Sequence, residues 1–161
     1  MLIRSANPRD RGAARSLICA AFGSPAEADL VEALDRAGDT QLSLVAEAHG
    51  QVVGHVLLSR MTAPFAALAL APLSVMPGHQ GQRIGSALVR EGLARAAQAR
   101  WDAVFVLGEA AFYERFGFDA ALAAGFSSPY AGSQFMARAL ADVLPASSGA
   151  LVHAPAFAAL A

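Results

Sequence analysis

Cysteine is nearly missing from this 161-residue chain, since Cys19 is the only one. A single cysteine excludes an internal disulfide framework and also a zinc cluster built from thiolates. Disulfides persist mainly in oxidising compartments, so the composition favours a reducing, cytoplasmic setting. Cys19 itself lies in the apolar run of residues 17–21, which has a helical pattern.

An excess of one charge sign is also missing, because the formal net charge is only -1. Such a chain has no long-range field to draw it onto nucleic acid or an anionic membrane. No run approaches the roughly 18 apolar residues of a membrane span. Residues 1–4 lead into a polar stretch without the apolar centre of a signal peptide. We therefore expect no nucleic-acid partner, no membrane contact and no targeting segment.

Two common phosphate-loop motifs are absent too. Without a Gly-Lys-Ser/Thr ending, a nucleoside-triphosphate loop would lack its lysine and its magnesium-binding hydroxyl. Without a Gly-x-Gly-x-x-Gly run, the dinucleotide fingerprint is excluded. No metal site is predicted either.

The residues that are present, 55% of them hydrophobic, suffice for one compact core. Periodicity predicts helices at residues 9–22, 24–37, 86–100 and 109–115. Apolar runs predict strands at residues 2–4, 42–46, 52–58, 68–75, 103–107 and 134–140, and another that begins at residues 117–118. This order of elements predicts an α/β domain, residues 1–141, with one twisted, mixed sheet and helices on both faces. Residues 142–161 are expected to be an extension, either packed on the same domain or flexible.

Pro72 stands inside the predicted strand of residues 68–75. Proline has no N–H to donate to a neighbouring strand. We therefore expect a β-bulge or a lost partner at this position.

Residues 73–86 form the segment with the clearest chemical signal. A strand here leads through a loop into the first turn of a helix, where backbone N–H groups lack carbonyl partners and the helix dipole is positive. Gly81 and Gly85 carry no side chain, so a diphosphate can approach the main chain, and Ser86 can add a hydroxyl donor. The alternative is an ordinary strand-to-helix turn with a glycine cap.

The loop resembles the acetyl-CoA loop of the GNAT superfamily, which follows the pattern Gln/Arg-x-x-Gly-x-Gly/Ala. Gln80-Gly81-Gln82-Arg83-Ile84-Gly85 matches its first and last positions but has Arg83 where the first glycine is expected. Downstream, Phe112-Tyr113-Glu114-Arg115-Phe116-Gly117-Phe118 resembles the family's Tyr-x-x-x-Gly-Phe element. The sequence around this second element is most similar to the YhbS-like bacterial branch.

The resemblance implies a cleft between two splayed parallel strands, residues 68–75 and 103–107, that receives acetyl-CoA as the acyl donor. The pantetheine arm would bond to the strand backbone, and the loop amides would hold the diphosphate. The residues implied in binding are Leu73, Ser74 and Val75 of the strand and Gln80, Gly81, Gln82, Arg83, Ile84, Gly85 and Ser86 of the loop.

The implied reaction is direct transfer of an acetyl group to a primary amine. The backbone N–H of Val75 is the expected donor to the thioester carbonyl. Tyr113 is the expected hydrogen-bond donor to the departing thiolate; the alternative is a core tyrosine beside Phe112 and Phe116. The amine needs a base, for which Glu47, His55, His79 and Glu109 are candidates and none is assigned.

The acceptor stays open between a protein N-terminus, a lysine, an amino acid, a polyamine and a drug-like amine. Residues 22–29 and 126–133, which the resemblance places near the acceptor, carry few charges and favour a small or partly apolar amine. Two other hypotheses stand beside the enzyme: a catalytically silent CoA-binding module, and a phosphate-binding structural domain without CoA. A homodimer also stays open.

Overall fold

A mixed β-sheet forms the centre of the computed structural model, which describes residues 1–160. Its strands are β1 (Leu2–Ser5), β2 (Thr40–Ala48), β3 (Gln51–Met61), β4 (Ala67–Val75), β5 (Ala103–Leu107) and β7 (Phe135–Ala139). Within the described residues they follow the order β1-β2-β3-β4-β5-β7. Neighbours are antiparallel except β4 and β5, which run parallel. The predicted mixed α/β sheet is confirmed.

Helices flank this sheet on both sides. They are α1 (Arg11–Phe22), α2 (Ala26–Ala37), α3 (Ile84–Gln98) and the short α4 (Ala110–Tyr113) and α5 (Ala120–Ala123). The 3-10 turns are Pro8–Asp10, Glu114–Phe116 and Pro155–Leu160. A separate pair of two-residue strands, β6 (Phe126–Ser127) and β8 (Gly149–Ala150), runs parallel. Within residues 1–160, no helix has both the length and the apolar character to cross a bilayer.

Local signals place the helix ends near their predicted positions. Before α1, the Asn7 side chain accepts from the Arg9 N–H at 2.9 Å, and the Asp10 carboxylate accepts from the Asn7 N–H at 2.8 Å. This reciprocal capping box satisfies donors that the first turn leaves free. Gly23 and Gly38 end α1 and α2 with φ of 72° and 77°, a left-handed conformation that glycine adopts without steric cost.

The hydrophobic core has two large halves, one on each face of the sheet, and a small third cluster of Leu17, Val45 and Val52. Leu57 of β3 packs with Leu34 of α2 on the face covered by α1 and α2. Leu58, the next residue, packs with Leu88 on the face covered by α3. Successive strand side chains point to opposite faces, so a nearly continuous apolar run in β3 serves both halves.

The irregularity expected at Pro72 is confirmed. Val56 of β3 lies opposite Leu73 of β4, whereas Leu58 lies opposite Leu70. One residue of β3 therefore faces two of β4, which is the arrangement of a β-bulge.

The strand expected to begin at residues 117–118 is wrong. Asp119 makes only an isolated bridge to Ala137, and α5 begins directly after it. The Asp119 carboxylate accepts from the Ala121 N–H at 2.8 Å. An aspartate cap followed by alanines favours a helix over a strand.

The described part of the C-terminal extension packs on the domain. Leu151, Ala154 and Phe157 are buried in the core half under α1 and α2. Thr62, just beyond β3, bridges to Val152. The large apolar residues of this alanine-rich segment therefore hold it against the domain.

Candidate active site

Strands β4 and β5 part from each other halfway along the sheet. Their parallel pairing, in the described chain, joins Ala67 to Ala103, Leu68 to Val104 and Ala69 to Phe105. Beyond this last pair β4 runs on to Val75 and β5 to Leu107. The gap between them is the splayed opening that the sequence resemblance implied.

A cavity of about 460 Å³, here called the loop cavity, lies where β4 leads into α3. It is lined by Leu73, Val75, Gln80, Gly81, Arg83, Ile84, Gly85, Ser86, Phe112 and Arg115. The first turn of α3 points its N–H groups out of the helix, without intrahelical acceptors. The first backbone bond of the helix is donated by Ala87 to the Arg83 carbonyl at 3.1 Å, so the amides of residues 84–86 are available to a ligand.

Backbone N–H groups of β4 also face the opening. The Met76 N–H donates to the Val53 carbonyl of β3 at 2.8 Å. N–H groups alternate between the two edges of a strand, so those of Val75 and Leu73 point away from β3 and toward β5. The parted strand thus keeps donors that a paired strand would have used.

Arg83 stands in a conformation that usually belongs to glycine. Its φ is 64° and its ψ 18°, and it is the N-cap of α3. The left-handed region is sterically costly for residues with a Cβ. This explains why the family pattern has glycine at the position, and shows that an arginine fits there with its side chain exposed.

The loop cavity carries positive charge. Arg83 and Arg115 line it, and no Asp or Glu of residues 1–160 does. The Arg115 guanidinium donates to the Ser86 hydroxyl at 3.1 Å and lies 4.9 Å from the centre of the Phe112 ring. Two cations and a helix N-terminus around one cavity favour an anionic ligand such as a diphosphate.

Two of the predicted binding residues lie outside this cavity. Ser74 is buried on the opposite face of the sheet, across from His55 of β3. Gln82 is exposed and does not line the cavity. Gln80 lines it and makes a long bond from its amide to the Val75 carbonyl, at 3.4 Å.

Tyr113 lies at the end of β5. Its ring packs so closely on Gly108 that a Cβ at that glycine would come within 2.5 Å of the ring. The rings of Phe112 and Phe118 meet it edge-on at 4.9 Å and 5.7 Å. Burial raises the pKa of Tyr113 to about 12. Tyr113 is therefore a protonated hydrogen-bond donor at neutral pH, and it stands beside the loop cavity rather than in its wall, where Phe112 lies.

The four candidate bases are scattered over the domain. Glu47 pairs with Arg4 at 3.6 Å, and Glu109 is the exposed N-cap of α4. His55 is buried, its Nε2 3.1 Å from the Ser43 hydroxyl, and faces a separate cavity between α1, α2 and the sheet. His79 is half-buried in the loop before α3. None of these four side chains lines the loop cavity.

A third cavity, of about 270 Å³, lies at the parted strands on the α1–α2 side and is here called the aromatic pocket. It is lined by Ala69, Leu70, Ala71, Phe105, Val106, Leu107, Tyr130, Phe135, His153, Phe157 and Leu160. Tyr130 falls in one of the two segments that the sequence placed near the acceptor. The contribution of the C-terminal segment was missed. The sequence signal that could have indicated this contribution is the presence of large residues in an otherwise alanine-rich tail.

Comparison with known proteins places this fold and cavity in a family. Residues 39–120 match the model of the acetyltransferase (GNAT) domain. The chain belongs to the GNAT acetyltransferase family, and it is an acyltransferase by that membership.

Individual relatives agree with this assignment. The N-acetyltransferase YhbS of Escherichia coli K12 is 36% identical over 148 residues, which cover 88% of this chain and 89% of YhbS. YjhQ of the same organism is 40% identical over 119 residues, or 68% of this chain and 65% of YjhQ. Thus the chain spans somewhat less than two thirds of YjhQ.

Two solved structures share the fold and carry ligands. The E. coli YhbS structure in complex with CoA has a TM-score of 0.91 at 34% identity, covering 98% of this chain and 91% of that one. A GNAT acetyltransferase of Brucella melitensis in complex with acetyl-CoA has a TM-score of 0.83 at 34% identity, covering 97% of each chain.

Proposed function

We propose that the protein is an N-acetyltransferase that uses acetyl-CoA and moves its acetyl group directly to a primary amine. The observation that carries the proposal is the loop cavity, where free backbone amides and two arginines meet the opening between β4 and β5. The relatives crystallised with CoA and acetyl-CoA support the same donor.

The residues present fit the diphosphate and the pantetheine arm of acetyl-CoA. The amides of Ile84, Gly85 and Ser86 would hold the diphosphate, with Arg83 and Arg115 adding charge. The free N–H group of Leu73 would bond to the pantetheine arm as a strand does, and that of Val75 is left for the thioester carbonyl. The bulge at Pro72 interrupts the regular pairing of β4 with β3 just before Leu73.

The chemistry then falls to a small number of groups. The Val75 N–H donates to the thioester carbonyl and stabilises the oxyanion that forms there. The Tyr113 phenol donates a hydrogen bond to the thiolate that leaves. With its pKa near 12 and that of a thiol at about 8.5, full proton transfer from the phenol would be uphill by about 5 kcal/mol. Tyr113 therefore stabilises charge without giving up its proton.

Thiol release from acetyl-CoA with a panel of primary amines tests the function, with the amide product identified by mass spectrometry. All 12 basic residues are arginine, so the enzyme has no lysine side chain that could be acetylated and confuse the assay. We expect amine-dependent thiol release. Absence of acetyl-CoA binding at millimolar concentration would overturn the proposal, and binding without transfer to any amine would favour the silent module.

The position of Tyr113 leads to a testable effect on rate. We expect Tyr113→Phe to lower kcat by about tenfold, the loss of one hydrogen bond to a charged group. Gly108→Ala should also lower kcat, although the phenol is still present, because the new Cβ would clash with the Tyr113 ring and displace it.

The matched control is Gly12→Ala, whose new Cβ would have no heavy atom within 4 Å. Steady-state kinetics should show an unchanged rate for this control and an unchanged KM for acetyl-CoA in all three variants. A Tyr113→Phe rate equal to wild type would remove the phenol from the mechanism.

A further inference from the structure

The aromatic pocket and the loop cavity share the same two strands. The loop cavity uses Leu73 and Val75 of β4, and the aromatic pocket uses residues 69–71 of β4 and 105–107 of β5. The pocket belongs to the core half under α1 and α2, and the loop cavity to the half under α3. Because β4 and β5 part after Ala69 and Phe105, the aromatic pocket borders the gap between these strands from the α1–α2 side.

The wall of the aromatic pocket selects against charge. Among the described residues that line it, the Tyr130 phenol and the His153 imidazole are the polar side chains, and the rest are aliphatic or aromatic. A carboxylate or phosphate entering this space would lose its water without gaining a cationic partner, which is costly. An uncharged apolar body loses nothing in the same place and gains by burial.

His153 is the one group in this wall that can accept a proton at neutral pH. The C-terminal segment places it against the ring of Tyr130 at 4.8 Å and that of Phe157 at 5.6 Å. Its Nδ1 is buried and has no hydrogen-bond partner among residues 1–160. Because Nδ1 is shielded in this way, a ligand in the pocket would reach the ring through Nε2.

We propose that the aromatic pocket binds the acceptor, a primary amine on an uncharged apolar or aromatic body, and that His153 is the base that takes its proton. The proposal rests on the N-acetyltransferase function above. It assigns a role to the C-terminal segment, which lies beyond the residues matched to the family domain.

The step balances in atoms and charge. The His153 imidazole removes one proton from the ammonium group, and the freed lone pair forms a bond to the acetyl carbon. The carbon–sulfur bond breaks with its electron pair on sulfur. The second proton lost by nitrogen ends on the CoA thiol, and the imidazolium returns its proton to water.

The surroundings favour the proton-accepting form of His153. Burial lowers the pKa of His153, so the ring is neutral at neutral pH. Tyr130 is the other titratable group in the wall, and no carboxylate or guanidinium of the described residues lines it. The same apolar wall lowers the pKa of a bound ammonium group, since burial disfavours the charged form. The lower pKa of the bound ammonium group makes its proton easier to remove, and the neutral ring of His153 is free to accept it.

A panel of three amines tests the acceptor class. 2-Phenylethylamine has an uncharged aromatic body, phenylalanine adds a carboxylate to the same body, and putrescine replaces the ring by a second ammonium group. We expect kcat/KM for 2-phenylethylamine to exceed that of the other two by at least about tenfold, the cost of burying an unpaired charge. Equal or reversed preference, or transfer to none of the three by an enzyme that binds acetyl-CoA, overturns the acceptor class.

Substitution of His153 tests the base. We expect His153→Gln to lower kcat at least about 30-fold and to remove the acidic limb of the pH–rate profile. His153→Ala should recover activity when imidazole is added to the assay. The control is His49→Gln, an exposed histidine in the turn between β2 and β3, with unchanged kinetics. An unshifted pH profile in His153→Gln, or no rescue by imidazole, overturns the role of His153.

Binding separates this inference from the proposed function. Calorimetry should give the same acetyl-CoA affinity for wild type and His153→Gln, because the loop cavity is unchanged. Loss of affinity in the variant would show a structural role for His153 and overturn its assignment as the base. If wild type itself does not bind acetyl-CoA, the N-acetyltransferase function fails and this inference fails with it.

Discussion

We expect the Gly85→Leu variant to lose measurable acetyl-CoA binding while it stays folded. A Cβ at Gly85 would lie 3.6 Å from Val75, 3.7 Å from Phe112 and 3.8 Å from Leu73, all of which line the loop cavity. A methyl group fits at those distances, but the further carbons of leucine must extend into the space between the three residues. That is the space where the pantetheine arm would enter, so affinity should fall by more than about 100-fold.

Two variants make this result interpretable. Gly85→Ala should keep near-normal affinity, because its methyl group makes only ordinary contacts. Gly12→Leu puts the same side chain on α1, where no heavy atom lies within 4 Å of the new Cβ. Leucine favours a helix over glycine by about 1 kcal/mol, so urea unfolding should show no loss of stability in either leucine variant. Normal calorimetric binding by Gly85→Leu would mean that the loop cavity is not the CoA site.

Most of the fold could be predicted because its signals are local. The Asn7 cap, the glycines at positions 23 and 38 and the apolar run of β3 each set an element without reference to distant residues. The strand expected after Phe118 was wrong because Gly117-Phe118 indicated a strand exit, whereas Asp119 and the alanines after it favour a short helix. Two weak local signals conflicted there, and the aspartate cap prevailed.

The candidate site also has a part that local sequence signals predict and a part that they do not. The loop residues 80–86 are consecutive, so their pattern is visible in the sequence, and even the departure at Arg83 could be located before its φ was known. His153 lines the same pocket as Phe105 and Leu107 only because the C-terminal segment folds back over the sheet. No periodicity or spacing encodes such a contact. The four candidate bases named from the sequence stay untested, and none of them lines the loop cavity.

His55 is the second residue whose substitution should have a large effect, in this case on stability. Burial lowers its pKa to about 4 from 6.5, and the nearby Asp35 carboxylate opposes this only in part. In the unfolded chain the same imidazole takes up a proton as the pH falls through 6.5. In the folded protein the His55 imidazole takes up this proton only when the pH falls to about 4. Protons therefore favour the unfolded state across this window, and stability should be full above pH 6.5 and decrease below it.

We expect the free energy of unfolding to fall by about 3 kcal/mol between pH 6.5 and pH 4 because of His55. Urea unfolding across this range should show the slope in wild type and its loss in His55→Gln, whatever the variant's overall stability. Burial also lowers the pKa of the half-buried His153, and His153→Gln measures its contribution separately. Asp10, whose pKa the Arg4 guanidinium lowers to about 2 from 3.8, acts only in more acidic solution. An unchanged slope in His55→Gln would mean that His55 accepts a proton in the fold as readily as in water.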